Sequence, residues 1–213
     1  HIEVIGRDEG VERNGRFFDA IQLQHRAMPE INLHDVDPSI EIMGKRLSFP
    51  LLISSMTGGD DALVGKVNQH LAEAAQITGV AMGVGSQRVM LEDTKAQASF
   101  DLRRYAPDAL LFANMGAIQL NNGMASAQLQ QAIDVLAADA IFLHLNPLQE
   151  AVQPEGDTNF ANLAQAIGHA QTQLNVPVVL KEVGAGLSVA DIELGLRHGI
   201  QWFDVAGRGG TSW

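Results

Sequence analysis

Cysteine does not occur among the 213 residues, so disulfides, thiolate metal sites and a cysteine nucleophile are all excluded. Basic residues are scarce: 14 Lys and Arg against 25 Asp and Glu give a formal net charge of −11. A nucleic-acid backbone is therefore a poor partner, because that affinity rests on cations releasing counterions, and any anionic ligand must meet locally placed positive groups. No apolar run approaches the ~18 residues of a membrane span, and the start lacks the charged-then-apolar pattern of a signal peptide. Zinc spacings of the Cys-x-x-Cys and His-Glu-x-x-His kinds are missing as well. These absences lead us to expect a cytoplasmic protein without membrane or nucleic-acid partners. What is present suits a sizeable core, with 46% hydrophobic and 18% charged residues.

From about residue 50, short apolar runs alternate with amphipathic stretches. The runs at 51–56, 80–85, 109–115, 140–146, 177–183 and 200–206 read as six strands. Between them Leu63, Val64, Val67, Leu71 and Ala75, and later Phe160, Leu163, Ala164, Ile167 and Leu174, fall on one face at helical spacing. Ser188 followed by Asp191 is a capping box that opens the last helix. Nearly continuous apolar strands joined by helices predict an α/β fold with a parallel sheet buried on both faces, either a (β/α) barrel or an open doubly wound sheet. Residues 1–50 are charged and broken by Gly6, Gly10, Gly15 and Pro29, and read as an irregular N-terminal extension before a barrel or sheet over 51–213.

Side chains two apart in a strand share a face. Phe142, His144 and Asn146 therefore point together, as do Phe112, Asn114 and Gly116, and Val179, Lys181 and Val183. The first run ends in Ser54, Ser55, Met56 and Thr57, and the second in Ser86, Gln87 and Arg88. Polar groups thus gather where parallel strands end, the place where barrels and open α/β sheets bind ligands. Singly, each has a plain structural alternative: a cap or turn for Ser54, Ser55 and Asn114, a pairing with Asp204 for Lys181, a satisfied core imidazole for His144. Their coincidence across five strands favours a site. Gly58–Gly59, Gly83-x-Gly85, Gly184-x-Gly186 and Gly207-x-Gly209–Gly210 allow backbone amides close to a ligand. The second of these is no dinucleotide fingerprint, because Arg88 stands where a third glycine belongs. Glu150, in what reads as the loop beyond the fourth strand, is suited to Mg²⁺, which takes one or two carboxylates plus waters and phosphate oxygens, although a solvated loop carboxylate is the simpler alternative.

The MTGG of residues 56–59, MGVGSQR of 82–88, HLNPLQE of 144–150, KEVG of 181–184 and AGRGGTSW of 206–213 together resemble the type 2 isopentenyl-diphosphate isomerases, in the family's order and across essentially the whole chain. LSFPLLISSMTGG at 47–59 is similar to that family's entry into its first barrel strand. The resemblance implies a TIM (β/α)8 barrel that binds FMN and Mg²⁺ and interconverts isopentenyl and dimethylallyl diphosphate by a 1,3-proton shift. It also implies that the flavin works reduced, with NADPH as reductant, and that the protein forms a homotetramer or larger assembly. An allylic C–H bond is weakly acidic and the intermediate is electron-poor, so an electron-rich ring with a transferable proton is useful beside it.

By the same resemblance Met56, Thr57, Ser86, Asn114, Lys181 and Thr211 line the flavin. Glu150 holds Mg²⁺, and Arg88, His144 and Asn146 bind the diphosphate. Gln149 sits at the reacting double bond, with Gln149 and His144 the catalytic pair, and Trp213 walls the pocket. Two departures stand out. The family's diphosphate-clamping Arg-Lys pair precedes a histidine matching His1, and only six strands are read where a closed barrel has eight, so the last one or two βα units are expected beyond this sequence. An FMN-dependent α-hydroxy-acid oxidase is the nearest competitor, but such oxidases carry a catalytic histidine in the glycine-rich segment after the sixth strand, where GRGGTS has none. An inosine-monophosphate-dehydrogenase-like reading needs a cysteine. A phosphate-binding barrel without catalysis is the alternative of another class, and Gln149–Glu150 with Lys181 speak against it.

Overall fold

The computed structural model describes residue 7 and residues 20–55, 61–205 and 207. Met56, Thr57, Thr211 and Trp213 lie outside the described residues, so their expected roles are not placed. Within the span read as an irregular extension there is ordered pairing. Strands β1 (Ile40–Ile42) and β2 (Lys45–Leu47) form an antiparallel hairpin. Its turn residues Met43 and Gly44 have φ of 51° and 73°, the doubly left-handed turn whose twist matches flanking strands.

Six parallel strands follow: β3 (Leu52–Ile53), β4 (Ala81–Gly83), β5 (Leu111–Gly116), β6 (Ala140–Leu145), β7 (Val178–Glu182) and β8 (Trp202–Asp204). They are hydrogen-bonded in chain order, β3-β4-β5-β6-β7-β8. A doubly wound sheet reverses its strand order at a switch point; this one never does, so successive crossovers run the same way and place their helices on one side. The choice left open by the sequence pattern thus resolves to the wall of a (β/α) barrel.

The crossovers carry helices α1 (Ala62–Thr78), α2 (Arg88–Glu92), α3 (Ser126–Leu136), α4 (Pro147–Val152), α5 (Leu163–Gln171) and α6 (Val189–Arg197). Helix α1 starts where the Asp61 carboxylate accepts the Leu63 N–H at 2.7 Å, and stops at Gly79, whose φ of 67° lets its N–H return to the Ala75 carbonyl. Helix α6 opens on the expected capping box: Asp191 N–H donates to Ser188 Oγ, and Ser188 N–H donates to Asp191 Oδ2. Gly195 lets α6 approach the sheet, since a Cβ there would lie 2.7 Å from Phe203 Cε1. The phenylalanine and leucine expected at the ends of α5, Phe160 and Leu174, lie outside it and pack against the same core from the flanking turns.

Strand alternation sorts the apolar residues into two layers. Met82, Leu111, Ala113, Met115, Ile141, Leu143, Val178 and Leu180 face the helices. Leu47, Ala81, Leu110, Phe112, Ala140, Phe142 and Val179 form a second cluster on the other face, joined by Ile42, Met43 and Leu52. The rings of Phe112 and Phe142 stack at 4.6 Å. Most of this second cluster comes from the N-terminal halves of the strands, with the hairpin packed against it. The interior is apolar at that end, and its polar residues are concentrated at the other.

Candidate active site at the C-terminal ends of the strands

Register places the polar residues side by side. Gly116 of β5 pairs with His144 of β6, His144 with Lys181 of β7, and Lys181 with Asp204 of β8. Two residues lower on the same interior face stand Asn114, Phe142, Val179 and Trp202. Asn146 follows β6 on that face. Asn114, Lys181 and Asn146 are 3%, 8% and 4% exposed, so three polar side chains are buried within one rim.

Such burial requires partners. Asn114 Nδ2 donates to the Val84 carbonyl at 2.9 Å, and Asn114 Oδ1 lies 2.8 Å from His144 Nδ1. Lys181 Nζ donates to the Glu182 carbonyl at 2.9 Å. Burial pushes the Lys181 ammonium below its ordinary value, while the charges of Asp204 and Glu182 act in the opposite direction. Burial, with the Lys181 charge next to it, pushes His144 from 6.5 down to about 4. The imidazole is therefore neutral at pH 7.

That depression has a consequence for folding. Below about 6.5 the unfolded imidazole takes up a proton, whereas the folded one resists until about 4. The stability owed to neutral His144 is complete above the upper value and is lost as the pH falls to the lower. Between pH 7 and pH 5 the full-length protein should lose about 2 kcal/mol through this group. Urea midpoints at the two pH values should converge in His144→Asn; an equal acid loss in the variant would remove His144 as the cause.

The segment after β6 corrects a sequence expectation. Residues 147–152 form the short helix α4 instead of a loop, with Pro147 in its first turn, where no N–H is needed. Helical spacing then brings Gln149 and Glu150 back over Asn146. Asn146 Nδ2 donates to Glu150 Oε1 at 2.7 Å and reaches Gln149 Oε1 at 3.4 Å, while Glu150 Oε2 accepts the Asp157 N–H at 2.7 Å. Each carboxylate oxygen spends one lone pair on a donor and keeps another. Asn146 Oδ1 is buried with no hydrogen-bond partner, as is Ser55 Oγ at the end of β3, where it would stand 2.3 Å from a Cβ on Gly83. Among the described residues no three His, Asp or Glu side chains cluster as a metal cage.

The structure thus joins Asn114, His144, Asn146, Gln149, Glu150 and Lys181 into one constellation. It does not bring Arg88 there: Arg88 is exposed and its Nε lies 3.4 Å from Glu92 Oε1 on the next turn of α2. Ser86 is partly buried in the turn between β4 and α2. The glycine-rich turn after β7 also departs from expectation, since the amides of Gly184 and Ala185 donate to the Glu182 carboxylate and not outward. Two contributors have no role assigned from sequence: Gln87, named only as one of the polar residues ending the second run, and Asp157. Gln87 is fully buried, and its Oε1 accepts the Asn114 N–H at 3.0 Å. Asp157 supplies the amide beneath Glu150 and accepts from Gln119 Nε2 at 3.1 Å. Gln87 carries a weak signal, a glutamine just past an apolar strand; Asp157 carries none.

The rim fits a flat, polar ring system, since buried oxygens without hydrogen-bond partners at Ser55 and Asn146 accompany the Lys181 ammonium and the Asn114 amide at the C-terminal ends of the strands. It also fits a cation held by a single carboxylate, with waters and phosphate oxygens completing the shell.

Known proteins carry similar sequences. A sequence model of the FMN-dependent dehydrogenase family matches residues 3–112. The chain is 56% identical over 213 residues to an isopentenyl-diphosphate delta-isomerase of Hydrogenovibrio crunogenus, covering 100% of this chain and 62% of that protein. A second, of Paracoccus zeaxanthinifaciens, is 54% identical over the same length and is covered to 61%. The chain therefore spans less than two thirds of the length of these relatives. Among solved structures, a mandelate oxidase variant aligns at a TM-score of 0.55 and 18% identity over 95% of this chain and 57% of its own, and an (S)-mandelate dehydrogenase chimera at 0.57 and 17% over 83% and 56%. These likenesses speak for the barrel alone. Among the described residues no helix is long and apolar enough to cross a membrane. The chain belongs to the FMN-dependent dehydrogenase family, and within it groups by sequence with the isopentenyl-diphosphate delta-isomerases of type 2.

Proposed function

We propose that the protein interconverts isopentenyl diphosphate and dimethylallyl diphosphate by a 1,3-proton shift, with reduced FMN, Mg²⁺ and NADPH as reductant. The observation that carries the reading is the joining of His144, Lys181 and Asn114 to the Asn146–Gln149–Glu150 cluster at one strand-end rim, in a chain 56% identical to an isomerase. When bound, reduced FMN supplies an electron-rich ring nitrogen able to exchange a proton with an allylic carbon.

The chain's own residues do the rest. Lys181 sets positive charge against the anionic edge of the ring, and its low exposure makes that charge count for more than it would in water. Asn114 and Ser86, with Met56, Thr57 and Thr211, line the ring. Glu150 holds Mg²⁺ against the diphosphate through the lone pairs that Asn146 and Asp157 leave unused. Asn146, His144 and Arg88 receive the diphosphate. For Arg88 this means leaving Glu92, an exposed pair worth only about 0.3–0.5 kcal/mol. Gln149 stands at the reacting double bond, where positioning dominates the rate, and Trp213 walls the pocket. A homotetramer or larger assembly in the cytoplasm belongs to the same reading.

The deciding assay incubates full-length protein with FMN, NADPH, Mg²⁺ and isopentenyl diphosphate and looks for the dimethylallyl isomer. Absence of product, together with oxidation of lactate or glycolate, would replace the reading with an α-hydroxy-acid oxidase. Glu150→Gln keeps the shape of the side chain but removes its charge. It should raise the Mg²⁺ concentration for half-maximal activity by about tenfold or more, with partial recovery at high Mg²⁺. An unchanged Mg²⁺ dependence would take Glu150 out of the metal site.

A further inference from the structure

Asn and Gln amides look alike end for end, but a backbone carbonyl can tell them apart, because it only accepts. Asn114 reaches the Val84 carbonyl oxygen at 2.9 Å, so the atom there must be its NH₂ group. Its oxygen is then the atom 2.8 Å from His144 Nδ1. An amide oxygen carries no hydrogen, so the proton in that contact belongs to the ring. The same logic fixes the residue behind it. Gln87 donates through Nε2 to the Ala132 carbonyl at 2.9 Å, which turns its oxygen to the Asn114 N–H, and its own N–H donates to the Asn114 carbonyl at 2.9 Å. Asn114 is held on both backbone groups and on its side-chain nitrogen, leaving Oδ1 no freedom to look elsewhere.

We propose that Asn114 is a positioning residue that locks neutral His144 as the tautomer protonated on Nδ1, so that Nε2 faces the ligand as a hydrogen-bond acceptor. In water a histidine side chain favours the opposite tautomer; here the relay from Ala132 through Gln87 and Asn114 imposes the choice. Gly116 lies beside the second nitrogen: a Cβ there would come within 3.2 Å of Nε2, and its absence leaves room at that atom. Burial and the Lys181 charge keep the ring from taking a second proton at neutral pH.

The identity of the facing group rests on the isomerase reading. A bare phosphate oxygen opposite Nε2 would set lone pair against lone pair. The diphosphate must therefore meet His144 through an oxygen that carries a proton, which is shared between that oxygen and Nε2. No bond other than O–H and N–H is made or broken, and the proton comes from the solvent.

The lock is read in ligand-free full-length protein at pH 7, with ¹⁵N-labelled histidine, because protonated and lone-pair imidazole nitrogens resonate far apart. For His144 the lone-pair signal is expected at Nε2 and the protonated signal at Nδ1. Asn114→Ala should move the ring toward the Nε2–H form, whereas Asn114→Asp should keep Nδ1–H and raise the pKa of His144 through the added negative charge. A wild-type ring protonated on Nε2, or an Asn114→Ala spectrum identical to wild type, overturns the proposal. If Asn114→Ala does not fold, the wild-type spectrum and Asn114→Asp decide. Calorimetry tests the facing group: at pH 8 in two buffers of different ionisation heat, isopentenyl diphosphate binding to the anaerobic reduced holoenzyme should draw a proton from the buffer, and His144→Asn should lose that uptake. Binding without proton uptake overturns the acceptor role. Failure of isomerase activity, by contrast, would sink the functional reading and leave the ligand-free tautomer as found.

Discussion

Full-length protein carrying Lys181→Met is expected to retain its fold, to lose isomerase turnover by about 10²–10³-fold and to bind FMN more weakly. The direction of the stability change separates this from a damaged core. Lys181 is 8% exposed and its ammonium is pushed below its ordinary value by burial, so in the folded state the charge is held against a desolvation cost. Methionine keeps the length and the apolar stem and removes that cost, so the urea midpoint should stay or rise. A ligand that needs the charge should nonetheless be lost, and turnover and flavin titration report on that. A second readout follows from the pairing of Lys181 with His144 in register: without the ammonium one cause of the low His144 value is gone, and its pKa should rise. Full activity with wild-type flavin affinity would remove Lys181 from the site.

Much of this rim is legible in the sequence because a strand has period two. Once Phe142 is taken as interior, His144 and Asn146 must follow it, and the same count places Asn114 beyond Phe112 and Lys181 beyond Val179. Chain-order pairing of the strands was less accessible, since a barrel wall and a doubly wound sheet share the same apolar runs and differ only in which strands become neighbours. The features missed are those in which a polar side chain replaces a regular element. Asn146–Glu150 looks like a loop because its apolar content is low, yet Pro147 in the first turn and the hydrogen bonds to Asn146 sustain a helix of six residues. Gly184 and Ala185 look free to meet a ligand, but the Glu182 carboxylate takes their amides, a local capture that glycine spacing does not announce. Gln87, legible only as a polar residue at the end of the second run, gains its role for a related reason. Its worth lies in three partners, Ala132, the Asn114 amide and the Asn114 carbonyl, that are distant in the chain or known only once β4 and β5 are paired.

At the opposite end of the strands, Arg103→Ala is expected to cost about 3–5 kcal/mol of stability while leaving the residues of the rim in place. The guanidinium holds five acceptors. Its Nη1 donates to the carbonyls of Ala106 and Ala109 at 3.0 and 2.8 Å and lies 3.4 Å from that of Pro107, while Nη2 donates to the Ala137 carbonyl at 2.7 Å and to Asp139 Oδ2 at 2.8 Å. Asp139 in turn accepts the Leu111 N–H through the same oxygen at 2.9 Å, and Lys45 Nζ stands 3.6 Å from its other oxygen. One side chain therefore joins the loop before β5, the turn before β6 and, through Asp139, the hairpin. Removing it leaves a carboxylate that is 21% exposed with only Lys45 and the Leu111 N–H, and takes the donor from several carbonyls. Lysine would not restore them, because a single ammonium cannot span acceptors laid out for a planar fork. Arg103→Lys should recover less than half of the loss, whereas the double variant Arg103→Met with Asp139→Asn should recover more, since it removes the charge that has lost its nearest cation. Urea unfolding of the four proteins checks the order. If Arg103→Ala lies within about 1 kcal/mol of wild type, the network is a surface feature of the kind that contributes little, and the strand N-termini are held by the apolar interior alone.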